Sequence, residues 1–539
     1  MSCLPARGIV TGGRESLKQL HNLLDGVDRI MALSVRLAGY NLDAELLSGA
    51  AEVLSRLETA AAELEGKGFP SADCRQLLTS LADTVRTGLD VSSFTPETIS
   101  AAYARISRDP RQVTELRRAA RFGVARARKS NENIIFGLGH ASVAEHACFN
   151  FDILGLSRLA SEELQSHRLL SFTEKSQRYI TLTTDYVVPP EAAGTEAEAL
   201  FHSTAPGLFA AYKEAWDSLL LRYLNGKAPS DVSKEELHAV EGRAKEDARY
   251  LLPLACTTQM GMTLNARMIE HVVRDVSDHP LAEIRELGRL LYDSVRGLAP
   301  SVVKYVAREG FPRQNRKILA AALAGTTTAP NREIHRGPSA RLVASTPDGE
   351  NAVLKALAFS TGTPAAADRI TWKDVFHGMG EHDGALREFE VAQMSFEAEI
   401  SASCFAQLKR HRMMTLLAAP YSLDAGTIIP PSLIEAGLEK HFVNALKAAN
   451  DAAEKLATLN PLLAPYLVTN AQRRRVMIHL NAREFYHFAR LRADSHAQWE
   501  IRSLAEQMLA QAKTLWPNLM LLACGKDQFG SVYRSVFPE

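Results

Sequence analysis

The sequence has no surplus of charge of either sign: 62 Lys and Arg stand against 62 Asp and Glu, beside 16 His. That balance argues against nucleic-acid binding through bulk positive charge. There is no uninterrupted apolar run of about 18 residues, which argues against a membrane span. The opening MSCLPARGIVTGGRESLKQL lacks the long apolar stretch of a secretory signal. Cysteine is sparse. Cys3, Cys74, Cys148, Cys256, Cys404 and Cys524 are scattered, and no two form a CxxC. Neither a zinc site nor a disulfide framework is therefore indicated, and the reading is buried thiols in a cytoplasmic protein. What is present is ordinary globular material, 46% hydrophobic and 23% charged, which excludes disorder. At roughly 150 residues per domain, 539 residues predict three to four domains. Neutrality still permits a locally basic pocket for a phosphorylated small molecule.

Residues 1–95 read as a helical N-terminal region. Leu17, Leu20, Leu23 and Leu24 recur at helical spacing, as do Leu46, Leu47, Val53 and Leu54. Nothing in that region carries chemistry, so it reads as a packing or oligomerisation segment. Beyond it, three pairs of segments recur in the same order. LQSHRLLSF pairs with LKRHRMMTL, DYVVPPE with GTIIPPS, and the stretch from Leu264 with the stretch from Leu480. One such match is chance, but three in order indicate a duplicated domain. Copy one runs from 96 to 324 and copy two from 341 to 539. The Thr-, Pro- and Gly-rich segment 325–340 reads as the linker. FNFDILGL and FEAEISAS alternate as strands do, and the NAR segments open helices. The predicted fold class is α+β: two tandem mixed α/β domains plus the N-terminal helical region.

Four constellations carry candidate chemistry. GLGHASVAEHACFNF holds His140, Ser142, Glu145 and His146. The His-x5-His spacing is not a usual metal spacing and no Cys joins it, so no metal site is assigned and contacts to a cofactor are preferred. SHRLLSFTEKSQRYI gathers His167, Arg168, Glu174, Ser176, Arg178 and Tyr179. Hydroxyls and an arginine fork in one loop suit phosphate, against the alternative of a solvated surface loop. KRHRM, with Lys409, Arg410, His411 and Arg412, meets the apolar MTLLAAPYSL, which favours anion binding over a plain solvated face. NAREFYHFARLRADSHAQWEIR places Arg483 and His487 at i and i+4, with a helix break and restart at Asp494-Ser495.

At these residues the chain resembles the flavin-dependent thymidylate synthases (ThyX). That family's signature is RHRxxSxNExSxRY with a Gln three residues before it, an upstream HxxxxEH, a midchain ARxxLP and a late NAR…LRADSHAQWEIR. Asn481 to Ile501 match the last segment almost letter for letter, and copy one matches with His140 to His146, the Ser166 to Tyr179 loop and DARYLLP. The departures complement each other. Copy one has Ser166, Thr173 and Glu163 where the signature has Arg, Asn and Gln, with Asp275 or Val276 near the late Arg. Copy two keeps Gln407, Arg410, His411, Arg412, Asn481, Arg483 and Arg492 but has lost the Glu-x-Ser-x-Arg loop, and has Pro465 in place of Arg249.

The resemblance implies an enzyme that converts dUMP to dTMP with methylenetetrahydrofolate, FAD and NADPH. Copy one would supply Glu174, Ser176, Arg178 and Arg249 to the nucleotide, and copy two Gln407 and Arg492. Arg492 and Arg178 are the candidate catalytic residues. His140, Ser142, Glu145, His167, Arg168, Arg410, His411, Arg412, Asn481, Arg483 and His487 would hold flavin and folate. Four identical chains build each site in that family. Two chains of this protein would therefore form a homodimer that is a pseudo-tetramer, with half of the ancestral sites surviving. The alternatives are a flavin enzyme acting on another pyrimidine nucleotide, and a catalytically dead nucleotide-binding or scaffold paralogue.

Overall fold

The computed structural model describes residues 32–67, 94–306, 311–323 and 332–538, with residues 76 and 80 besides. Its frame is two four-stranded antiparallel sheets of the same topology. The first contains β1 (Ser34–Tyr40), β2 (Cys148–Ser157), β3 (Ser171–Glu174) and β4 (Thr257–Asn265), in the order β1-β2-β4-β3. The second contains β5 (Ser339–Ser345), β6 (Gln393–Ser401), β7 (Thr415–Ala418) and β8 (Arg473–Asn481), in the order β5-β6-β8-β7. Glu174 lies opposite Met260 in the first sheet, and Ala418 opposite Val476 in the second. On β4, Thr258, Met260, Met262 and Leu264 alternate inward, as a half-buried strand requires.

Serine and asparagine caps start the first two equivalent helices in both copies, whereas Leu281 before the third in copy one makes no side-chain cap. Ser157 Oγ accepts from Ala160 N–H at 3.0 Å and opens α1 (Arg158–Leu164). Asn265 Oδ1 accepts from Met268 N–H at 3.0 Å and opens α2 (Ala266–Val276). α3 (Ala282–Val295) follows. In copy two Ser401 caps α4 (Ala402–Leu408), Asn481 caps α5 (Ala482–Arg492) and Gln498 caps α6 (Trp499–Leu515). Each satisfies N–H groups that have no partner inside a helix.

The copies are joined by a reciprocal exchange. Glu283 on α3 accepts from Ser157 Oγ (2.8 Å) and from Tyr466 Oη of the other copy (2.7 Å). Glu500 on α6 accepts from Ser401 Oγ (2.5 Å) and from Tyr250 Oη. The backbone repeats the exchange: Ala255 N–H donates to Tyr466 O (2.7 Å) and Ala471 N–H to Tyr250 O (3.0 Å). Helix Glu439–Leu459 packs on helix Glu196–Tyr223, and Phe442, Leu446 and Tyr466 of copy two enter the core of copy one. A second core is formed by copy two alone.

Three expectations are corrected. Residues 1–95 are not wholly helical, because Ser34–Tyr40 is an edge strand registered on β2. Its seven residues are too few to show helical periodicity, and a neighbouring strand supplies the ladder partners. Helix Ala44–Lys67 contains Leu46, Leu47 and Val53 as expected, while Leu17 to Leu24 lie outside the described residues. The segment 325–340 is not all linker: Ile334–His335 pairs in parallel with Thr427–Ile428, and β5 begins at Ser339. Cys148 is exposed, whereas Cys256, Cys404 and Cys524 are buried. Among the described residues no helix is long and apolar enough to cross a membrane.

Candidate active site

The end of β3 and the turn after it carry Glu174, Ser176 and Arg178, and Arg249 follows the last turn of helix Lys234–Ala248. The C-terminal turn of α4 carries Gln407 and leads into Lys409–Arg412, while Arg492 ends α5. These elements belong to different copies, and within one chain they converge. Arg410 Nη2 lies 3.6 Å from Glu174 Oε2. Arg412 donates to the Leu170 carbonyl, and more weakly to Arg168 O at 3.4 Å. Gln407 Nε2 donates to Gln498 Oε1 (3.2 Å), whose own amide donates to Tyr250 Oη (2.9 Å). Asn470 of copy two donates to both Gln177 Oε1 (3.1 Å) and Arg249 O (2.9 Å).

Glu174 is the most heavily bonded of these groups. Its carboxylate takes Arg158, Ser161 Oγ (3.2 Å), Gln165 Nε2 (3.0 Å) and Thr258 Oγ1 (3.1 Å). Burial alone pushes its pKa up, but the Arg158 and Lys409 charges and the Gln165 hydrogen bond outweigh it and bring the pKa down to about 2. Glu174 therefore pins the loop that presents Ser176 and Arg178. Ser176 Oγ in turn accepts from Arg178 N–H at 3.1 Å.

The cations around this loop are only partly compensated. Arg178 is ion-paired to Glu246. Arg249 is buried, and its Nε and Nη2 have no hydrogen-bond partner among the described residues. Its pKa is lowered by burial and then by Arg178 and Arg158, against an opposing pull from Glu246. Arg492 is lowered by burial and by the nearby Arg410 and Arg178 charges. Lys409 Nζ is buried without a hydrogen-bond partner among the described residues, and burial brings its pKa down to about 8. A buried guanidinium with unused donors, flanked by further arginines, is a receptor for a polyanionic group such as phosphate.

Beside this cluster lies a cavity of about 640 Å³, lined by Asn481, Arg483, His487, Met413, Glu381 and Lys526 among others. Its size is that of a cofactor site. Arg483 is held by Glu390 (2.8 Å) and by the Ala385 carbonyl (2.9 Å). The His411 and His487 rings meet edge to face at 5.8 Å. His411 Nδ1 and Glu484 Oε1, 3.6 Å apart, are both buried without a hydrogen-bond partner among the described residues.

Other sequence candidates lie apart from it. His140, Ser142 and Glu145 are exposed and do not line this cavity. Glu145 pairs with Arg267 at 2.5 Å, the position equivalent to Glu390 with Arg483. His167 is used by the Leu164 carbonyl (3.1 Å) and Asp275 (3.4 Å), and the Arg168 side chain is exposed. Sequence reasoning gave no role to Tyr250, Gln498 and Asp247, which tie the site together. The repeat of Tyr250-Leu251 in Tyr466-Leu467 was the available signal for the first. Asp247 accepts from Ser432 Oγ (2.6 Å) and Trp499 Nε1 (3.0 Å), both of copy two.

Comparison with known proteins agrees with this two-copy organisation. The chain matches the family model described as thymidylate synthase complementing protein in two segments, residues 91–301 and 341–518. It is 30% identical over 215 residues to a flavin-dependent thymidylate synthase of Clostridium tetani, which covers 39% of this chain and 82% of that protein. A UPF0159 protein of Thermoplasma acidophilum is 24% identical over 469 residues, covering 78% of this chain and 93% of that protein. Among solved structures, a ThyX from Helicobacter pylori complexed with FAD and dUMP is 21% identical, covers 40% of this chain and 96% of that chain, and has a TM-score of 0.28. With both copies matched by one family model, the chain belongs to the thymidylate synthase complementing protein family.

Proposed function

We propose that this protein is a flavin-dependent thymidylate synthase that methylates dUMP, with one nucleotide site per chain assembled from both copies. The observation that carries the reading is Arg249: a buried guanidinium with two donors unpartnered among the described residues, beside Arg178 of its own copy, which in turn lies near Arg492 and, with it, Arg410 of the other. Such a charge is costly to bury unless a ligand of opposite sign completes it. The 5′-phosphate of dUMP fits that need, with Arg249, Arg178 and Ser176 as its donors.

The uracil ring gains negative charge as its C5 position reacts. Arg492, held by its bond to His411, would stabilise that charge from the carbonyl edge. Gln407, fixed by Gln498 and Tyr250, orients the base. Ser176 has no adjacent base among its hydrogen-bond partners, so it binds rather than attacks.

The cavity next to the cluster fits FAD: it is large enough, its walls include aromatic and aliphatic side chains, and Glu484 in its wall has a carboxylate oxygen with no hydrogen-bond partner among the described residues. Asn481, Arg483 and His487 would hold the cofactor, with Arg410, His411 and Arg412 at its boundary with the nucleotide. When bound, the flavin supplies the redox and one-carbon transfer chemistry. NADPH and methylenetetrahydrofolate are the electron and one-carbon donors of this reading. His140, Ser142 and Glu145 do not line the cavity of their own chain; in this reading a homodimer would bring those of a second chain to it.

Purified protein that is yellow, binds dUMP, and supports growth of a thymidine-requiring strain is the expected result. Arg178→Ala and Arg492→Ala should each abolish turnover; full turnover in either variant would overturn the composite site. Turnover of a different pyrimidine nucleotide, with none of dUMP, would favour the altered-substrate alternative.

A further inference from the structure

The duplicated fold creates a second position equivalent to the Glu174 network, at the copy-two loop. There Ala418 stands where copy one has Glu174, Ala402 where it has Arg158, and Tyr421 where it has Gln177. The space left by the missing ion pair is filled from the central strand. Arg474, in the place of Thr258, lies between the rings of Tyr421 (4.2 Å) and Phe405 (4.5 Å). Its guanidinium donates to Ala419 O at 2.7 Å and to Glu162 Oε2 at 3.0 Å. Tyr421 Oη donates to the same carboxylate, at 2.9 Å to Oε1.

Glu162 belongs to copy one and sits on α1 between two other users of that helix. Arg158 and Ser161 of α1 hold Glu174 of their own copy. Glu162 holds Arg474 and Tyr421 of the other copy, with both members of the ion pair nearly buried. Lys409, buried between the Glu162 and Glu174 charges, continues the alternation of sign from one position to the other. One short helix thus grips a loop of each copy.

We propose that the Arg474–Glu162–Tyr421 cluster takes the place of the Glu174 network and locks the copy-two loop in a form that takes no nucleotide, and that this cluster is a clamp that positions α1, and through it Glu174 and the phosphate loop. Glu162, Tyr421 and Arg474 are positioning residues, since none of them touches the working site. The stoichiometric half of the proposal rests on the dUMP reading above; the clamp itself does not.

The test uses full-length protein, titrated with dUMP by calorimetry, and the variants Tyr421→Phe and Glu162→Gln followed by hydrogen–deuterium exchange. One dUMP per chain supports the locked loop, and two per chain overturns it. Loss of the Tyr421 bond should raise the KM for dUMP about tenfold with kcat little changed. It should also speed exchange of residues 158–174 of the other copy. Unchanged exchange there in both variants overturns the clamp, whatever the nucleotide result. If wild-type protein binds no dUMP at all, the substrate reading fails, and the exchange measurement alone decides the clamp.

Discussion

Arg492 donates its Nε–H to Nε2 of His411 across 2.9 Å, so this histidine nitrogen must carry no proton. Burial holds the His411 pKa below the usual imidazole value, and the Arg492 charge lowers it further against the pull of Glu484. A depressed folded-state pKa contributes stability that is present above the unfolded value of 6.5 and lost as pH falls through the folded one. Acid should therefore release Arg492 from its acceptor. We expect kcat to show an acid limb below pH about 6.5 that is absent from the circular-dichroism signal. In His411→Asn that limb should disappear from the pH–rate profile.

Arg249 offers a contrast between function and stability. Two donors of its buried charge have no partner among the described residues. Replacement by Met should remove a desolvation cost and stabilise the ligand-free fold by about 1–3 kcal/mol. The same change should weaken dUMP binding at least about tenfold, the size of a lost charge-assisted hydrogen bond. Thermal unfolding with and without dUMP measures both effects. A destabilised variant with full affinity would contradict the phosphate assignment.

The exchanged tyrosines allow a paired comparison. Tyr466→Phe removes only the bond to Glu283, whereas Tyr250→Phe removes the bond to Glu500 and the acceptor that holds Gln498 and Gln407. Both should cost about 1–3 kcal/mol in urea unfolding. Only Tyr250→Phe should also raise the KM for dUMP.

Asp247 links the copies through Ser432 and Trp499. Burial drives its pKa up to about 6. A raised carboxyl pKa means that stability is fully present below the unfolded value of 3.8 and is lost as pH rises through about 6. Asp247→Asn should flatten the stability profile between pH 4 and 7, checked by urea unfolding at fixed pH steps. A wild-type profile rising with pH over this range for want of any such difference from the variant would count against the assignment.

Asp275→Ala and Ser422→Ala provide the controls. Asp275 makes a partly exposed pair with His167, and the Ser422 hydroxyl only caps a short turn. Each should alter stability by less than about 1 kcal/mol and leave dUMP turnover intact.

Much of this was written in the order of the residues. The asparagines 265 and 481 announce the same strand-to-helix cap, and the paired prolines mark equivalent turns, because capping and turn chemistry act over a few residues. The complementary loss of Glu174-type and Arg492-type residues pointed to a shared site before any fold was known. What local sequence does not contain is which copy's side chain completes which network. The swap of Tyr250 onto Glu500 and Tyr466 onto Glu283 depends on how two domains dock. So does the orphaned state of Arg249, which follows from burial by residues far away in the chain. Likewise Glu174, legible as a ligand residue, is turned into a loop anchor by Arg158, Ser161, Gln165 and Thr258, donors drawn from α1, the residue that follows it, and β4. The sequence by itself determined the duplication, the capped helices and paired strands within the two copies, and the list of charged groups, but not the strand Ser34–Tyr40. Only the tertiary structure decided which charges are paired and which are left for a ligand, because burial and hydrogen-bond satisfaction are properties of packed neighbours.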